Sequence, residues 1–123
     1  MRSSDPVLIV SEAPDHRNEL AAAVSSSGLM ATHCGTLETA GFLLGEQEFS
    51  MMFCDQIPSD NMRAVIRDVS RRGPQLPIIV VSAQDDWDSY LGALRAGAFD
   101  CVVLPAAPGE LARIVTTALR KSV

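Results

Sequence analysis

Apolar positions follow two alternating rhythms along the chain. One is the short continuous run: "VLIV" at 7–10, "PIIVV" at 77–81 and "CVVL" at 101–104. Such runs suit strands covered on both faces. "LMATHC" (29–34) and "SMMFC" (50–54) are weaker runs of the same kind, which makes five strand candidates. The other rhythm is helical. Met62, Val65, Ile66 and Val69 stand at i, i+3, i+4 and i+7, and Leu111, Ile114, Val115, Ala118 and Leu119 repeat the pattern. Trp87, Leu91 and Leu94 form a third stripe, read first as helix packing. Leu20 with Val24, and Leu37 with Ala40 and Leu44, form two shorter stripes. Gly28, Gly73 and Gly97 fall where helices end. Thr36, Ser59 and Asp86 are N-cap candidates, and Pro108 suits the first turn of the last helix.

Five strand–helix alternations predict a doubly wound α/β domain, a parallel sheet with helices on both faces. Right-handed crossovers leave few topologies for it. The 123 residues fit one domain, 1–123, with residues 1–6 as a tail before the first strand.

Composition narrows the class. Apolar residues make up 47% and charged residues 20%, as in an ordinary folded domain. No apolar run approaches the roughly 20 residues that span a bilayer, and "MRSSDP" lacks the core of a signal peptide. Cys34, Cys54 and Cys101 are few, far apart and beside apolar runs, so they read as small buried hydrophobes. No C-x-x-C pair suggests zinc, and His33 reads as a strand end. Together these features predict a cytoplasmic protein with no membrane contact. A net charge of −5 without a basic stripe argues against direct nucleic-acid binding. Arg71-Arg72 reads instead as the basic last turn of a helix.

In open α/β sheets, sites gather beyond the carboxyl ends of the strands. Ser11 and Glu12 follow the first strand, Asp55 the third and Ser82 the fourth, while Leu104-Pro105 closes the fifth. The first turn, "SEAPDH", has no glycine, which argues against a nucleotide cradle and against a flavodoxin-like small-molecule enzyme. No G-x-S-x-G occurs. His16 could serve as a base, but near a helix start it reads as a solvated residue. Glu12 and Asp55 remain as a carboxylate pair of the kind that holds a hard divalent cation, and a carboxylate beside such an ion can attack a phosphoryl group. The plainer readings are a turn acid before Pro58 for Asp55 and a solvated helix-start acid for Glu12.

Four stretches together resemble the response-regulator receiver domain, over essentially the whole chain. They are "VLIVSEAPDHRNEL", "MMFCDQIP", "LPIIVVSAQDD" and "ALRAGAFDCVVLPAAPGEL". The resemblance implies a (βα)5 flavodoxin-like fold with strand order 2-1-3-4-5. It also implies a signalling module, not an enzyme, working in a two-component phosphorelay. By the same likeness Asp55 is the phosphoacceptor, Glu12 and Asp55 hold Mg²⁺, and Ser82 is the hydroxyl partner of the phosphoryl group. The implied partners are a histidine kinase or phosphotransfer protein. An output partner would dock on the face of the fourth helix, fifth strand and fifth helix, where Trp87, Tyr90, Cys101, Leu104 and Pro105 fall; the likeness also allows a homodimer.

The chain departs from the family pattern at four places. Ser11 replaces a second acid, Leu104 a lysine before Pro105, and Cys101 the common aromatic of strand five. Pro58 follows Asp55 after three residues, not four. Two unit charges about 4 Å apart interact by roughly 4 kcal/mol at an effective dielectric near 20, so losing the lysine and an acid weakens the cation site. The expected Mg²⁺ binding is weak or absent. The alternative reading is a pseudo-receiver, an interaction module that works without phosphorylation. The likeness also implies a cis Leu104-Pro105 bond.

Overall fold

The computed structural model describes residues 5–122, with side chains as far as Arg120. Its elements run β1 (Val7–Val10), α1 (Pro14–Ser26), β2 (Ala31–Cys34), α2 (Leu37–Glu46), β3 (Met51–Cys54), a 3₁₀ turn (Ser59–Asn61), α3 (Met62–Arg72), β4 (Ile78–Val81), α4 (Trp87–Arg95), β5 (Asp100–Val102) and α5 (Glu110–Ser122). The five strands form one parallel sheet in the order β2-β1-β3-β4-β5.

The continuous apolar runs are explained by the two cores. Leu8, Val10, Met52, Cys54, Ile78 and Val80 face one layer, with Ala40 and Leu44 of α2, Ile66 and Val69 of α3 and Ala93 of α4. Val7, Ile9, Met51, Phe53, Ile79 and Val81 face the other, with Leu20 and Val24 of α1 and Leu111, Ile114, Val115 and Ala118 of α5. Alternate side chains of a strand point to opposite faces. Both faces are covered over the three inner strands, so no polar position interrupts β1, β3 or β4. The three cysteines are free and buried in this framework. Burial pushes the Cys54 thiol up to about 12 and the Cys101 thiol up to about 11, Asp100 adding to the latter.

The register brings the strand ends level. Val10 pairs with both Cys34 and Cys54, and Val81 pairs with Val102. One further ladder bond then fixes each residue beyond. The Ser11 N–H donates to the Cys34 carbonyl (3.0 Å), that of Asp55 to Val10 (3.2 Å) and that of Ser82 to Val102 (2.8 Å). Ser11, Asp55 and Ser82 therefore share one sheet edge.

Several local expectations hold. Thr36 accepts from the Thr39 N–H and Asp86 from the Ser89 N–H. Gly28 and Gly97 follow α1 and α4 with φ of +81° and +112°, a region that L side chains rarely enter. Leu104-Pro105 is cis.

Others are corrected. Ser59 opens the 3₁₀ turn and does not cap α3, whose N-cap is Asn61. Gly73 is the C-cap of α3, as expected, but at a negative φ of −129°; the positive φ there belongs to Gln75. Pro108 lies in the turn before α5, where the Glu110 N–H donates to the Ala107 carbonyl (3.0 Å). β5 stops at Val102, because the Ser82 bond is its last ladder bond and Leu104 turns to pack against the α1–α5 core. Trp87 is 68% exposed and does not pack under α4. The α4 surface that meets the core is instead Tyr90, Ala93 and Ala96.

Candidate functional site

Asp55 is the first residue after β3, and its side chain is only 13% exposed. One carboxylate oxygen, Oδ2, carries its bonds. Ser11 Oγ lies 2.6 Å from it and His16 Nδ1 2.8 Å. Oδ1 has no hydrogen bond to the described residues, so the two oxygens are chemically different.

Each partner is held by the start of α1. Ser11 is fully buried, and its Oγ also accepts the Ala13 N–H at 3.0 Å. Its single hydroxyl hydrogen goes to the shorter contact, Asp55, and not to the Ala13 carbonyl at 3.4 Å. Ala13 offers no side-chain cap, but Pro14 opens α1 in the first-turn position where its missing N–H costs nothing. His16 then sits in the first turn, one third exposed, with its ring over Asp55. A carboxylate only accepts, so against an ionised Asp55 the hydrogen of this contact is on Nδ1. The expectation that His16 is a merely solvated residue is therefore corrected. Spacing held a signal for it: His16, Leu20 and Val24 are four residues apart, and the latter two are buried.

The other expected site residues are placed as follows. Glu12 is exposed, and its stem lies over Gly35, where a Cβ would come within 3.3 Å of Glu12 Cγ. Ser82 Oγ accepts the Gln84 N–H (3.0 Å) and donates to the Gln84 carbonyl (3.1 Å), so its hydroxyl is engaged by its own loop. Leu104 is half-buried in the α1–α5 core and brings no charge to the edge. Gln56, the residue after Asp55, donates through its side-chain amide to the Gly35 carbonyl and ties the β3 loop to the end of β2.

Mg²⁺ requires several oxygen ligands in near-octahedral array. Among the described residues no three His, Cys, Asp or Glu side chains are grouped to hold a metal ion. Asp55 Oδ2 is already taken by two donors, and Glu12 turns toward Gly35. This donor set does not fit Mg²⁺.

Beyond the edge, Trp87 and Tyr90 stack with ring centroids 5.6 Å apart. They border a groove of about 790 Å³ that also takes in Asp85, Asp86, Cys101 and Glu110. Asp100 beside Tyr90 holds its phenol above the ordinary value.

The model of the response regulator receiver domain family matches residues 7–116, the whole sheet and its helices as far as the middle of α5. The chain is a response-regulator receiver domain. The response regulator protein PilR of Pseudomonas aeruginosa is 30% identical over 119 residues, covering 96% of this chain and 27% of PilR, so the chain spans about a quarter of that relative. A response regulator from Thermotoga maritima superposes with a TM-score of 0.85 at 20% identity, covering 95% of this chain and 98% of that one. The beryllofluoride-activated NtrC4 receiver domain dimer gives 0.82 at 19%, covering 96% and 98%. At these identities the solved structures speak for the fold. Receiver domains are signalling modules of two-component systems, and this one carries its acid at the sheet edge between a serine and a histidine. No helix among the described residues is long and apolar enough to cross a membrane.

Proposed function

We propose that this receiver domain accepts a phosphoryl group on Asp55 from the phosphohistidine of a histidine kinase or phosphotransfer protein. The single observation that carries this reading is the asymmetry of the Asp55 carboxylate. Oδ2 is held by two donors, and Oδ1 is left as the nucleophile at the strand edge. Oδ1 attacks phosphorus, the P–N bond of the donor breaks, and its electron pair leaves with the donor imidazole. The change is then reported through α4, β5 and α5, where the exposed Trp87 stacks on Tyr90 beside a groove rimmed by Asp85, Asp86 and Glu110. A partner protein or a second copy of the domain would read that face. A cytoplasmic setting accords with the three free thiols. No step is assigned to Mg²⁺, because the donor set does not fit it.

Trp87, the only tryptophan, makes the test simple. The domain is treated with acetyl phosphate, the emission of Trp87 is followed, and intact mass is measured on the same sample. The expected result is a gain of one phosphoryl group with a saturable change in emission, both absent in Asp55→Asn. A protein that gains no mass, or gains it equally in Asp55→Asn, refutes the reading.

A further inference from the structure

We propose that the first turn of α1 is a second readout of this domain, with His16 held on Asp55 while the carboxylate is ionised and released when a phosphoryl group takes that charge away. The proposal rests on Asp55 being the acceptor.

The oxygen that is read is Oδ2. Ser11 Oγ lies 2.6 Å and His16 Nδ1 2.8 Å from it, and neither bonds to Oδ1. When Oδ1 attacks, the new O–P bond forms as the donor's P–O or P–N bond breaks, and the electron pair leaves with acetate or imidazole. Oδ2 is then the carbonyl oxygen of an acyl phosphate. It loses its charge, and the new charge sits on phosphoryl oxygens carried by Oδ1. Hydrogen bonds to an ionised acceptor are roughly twice as strong as those to a neutral one. The difference is sharpened where water is excluded. Ser11 is fully buried and the Asp55 side chain is 13% exposed, so this site meets that condition.

The two donors answer the loss of charge differently. Ser11 is fixed by its own N–H on the Cys34 carbonyl and by the Ala13 N–H on its hydroxyl, so it stays. The His16 side chain is one third exposed, and its ring makes no other hydrogen bond to the described residues. Water replaces Asp55 once the acceptor weakens. On the scale of a bond that passes from the charged to the neutral class, the ratio of held to released ring falls roughly five- to tenfold. The α1 helix packs with α5 on one face of the sheet, whereas α4 packs on the other. Release of His16 is therefore separate in place from any change at α4. A phosphodonor approaches Oδ1 at this same sheet edge, so it meets a different first turn before and after transfer. His16 acts through Asp55 and is a positioning residue.

The test follows the imidazole nitrogens by nitrogen-15 NMR on the full chain, at about pH 8, where an ordinary imidazole is neutral. The chain has two histidines, and His33, exposed on β2, is the internal reference. Wild type is compared alone, with Mg²⁺, and with Mg²⁺ and acetyl phosphate, and intact mass is measured on each sample. The bond to Asp55 keeps the His16 proton on Nδ1, and that signal is expected with or without Mg²⁺. Asp55→Asn keeps the shape of the side chain and removes its charge, so it should move the His16 Nδ1 signal toward that of His33. Acetyl phosphate should move it the same way, in proportion to the phosphorylated fraction, while His33 holds still. Mass gain without movement of the His16 signal overturns the inference and leaves Asp55 as the acceptor. So does an Asp55→Asn signal unchanged from wild type, or a signal that Mg²⁺ alone displaces. No mass gain removes the reading of Asp55 as acceptor and this inference with it. The comparison on wild type needs no variant to fold.

Discussion

Ser11→Ala tests the centre of the site by stability alone. Two bonds disappear with the hydroxyl. The bond to Asp55, 2.6 Å long and charged at the acceptor, is worth about 1.5–3 kcal/mol. The bond from the Ala13 N–H, 3.0 Å, does the work of a helix cap and is worth about 1 kcal/mol. The side chain is fully buried, so water does not readily replace either. The expected loss is about 2–4 kcal/mol in urea unfolding, at unchanged slope. A double-mutant cycle with Asp55→Asn separates the two bonds. The Ala13 loss is common to both backgrounds and cancels. The Ser11–Asp55 bond falls from the charged to the neutral class, so a coupling of about 1 kcal/mol or more should remain. Thr36→Ala removes the cap of α2, on another element, and should show no coupling to Asp55. A Ser11–Asp55 coupling within about 0.5 kcal/mol of zero would refute the bonded geometry.

Three further outcomes follow from particular contacts. Ser11→Asp places a second carboxylate against Asp55, at a cost on the order of 4 kcal/mol if the charges come within about 4 Å, and should make the melting temperature rise with added Mg²⁺; a variant as indifferent to Mg²⁺ as wild type would contradict this. Cys54 ionises near 12 in the folded chain against 9.0 for an ordinary thiol, so its contribution is intact below about pH 9 and is lost as pH rises toward 12. The loss should reach about 1 kcal/mol near pH 10, and Cys54→Ala should flatten that alkaline decline. Gly97→Ala should destabilise by about 1–3 kcal/mol, since φ is +112° and a Cβ would come within 3.3 Å of Ile66 Cγ2, whereas Gly92→Ala in α4 meets nothing within 4 Å and should stabilise by up to about 1 kcal/mol; equal melting temperatures for the two would refute the assignment.

The strands were legible because their burial is two-sided. Residues such as Leu8 and Ile9 are both fully buried yet belong to different cores, and no polar position breaks the run. Asp55 and Ser11 were legible as edge residues, because a parallel sheet forces its sites to the carboxyl ends. What failed was the choice of face on α4. Trp87, Leu91 and Leu94 carry the hydropathy, but the contact surface runs through Tyr90, Ala93 and Ala96. Small residues let the helix approach the sheet closely and leave the large ring outside, and a scale weighted by side-chain size points the wrong way. Leu104 shows the same limit. Its composition suggested only an absent charge, while its place in the core depends on the chain leaving the ladder after Val102.

His16 differs from these, because its position was determined locally. Leu20 and Val24 face the α1–α5 core, and stepping back by four from Leu20 reaches His16 on the same face. Pro14 fixes where the helix begins, so that face cannot continue inward for another turn; it arrives at the end of the sheet. A residue there points at whatever follows the neighbouring strands. The first strand is followed by Ser11 and the third by Asp55, in level register. A polar residue on the apolar stripe, one turn before its first buried member, is therefore directed at the site by helix geometry alone. At that place an imidazole gives the carboxylate a second donor beside Ser11. Ser11, which stands in place of an acid, and His16 belong to one arrangement around Asp55.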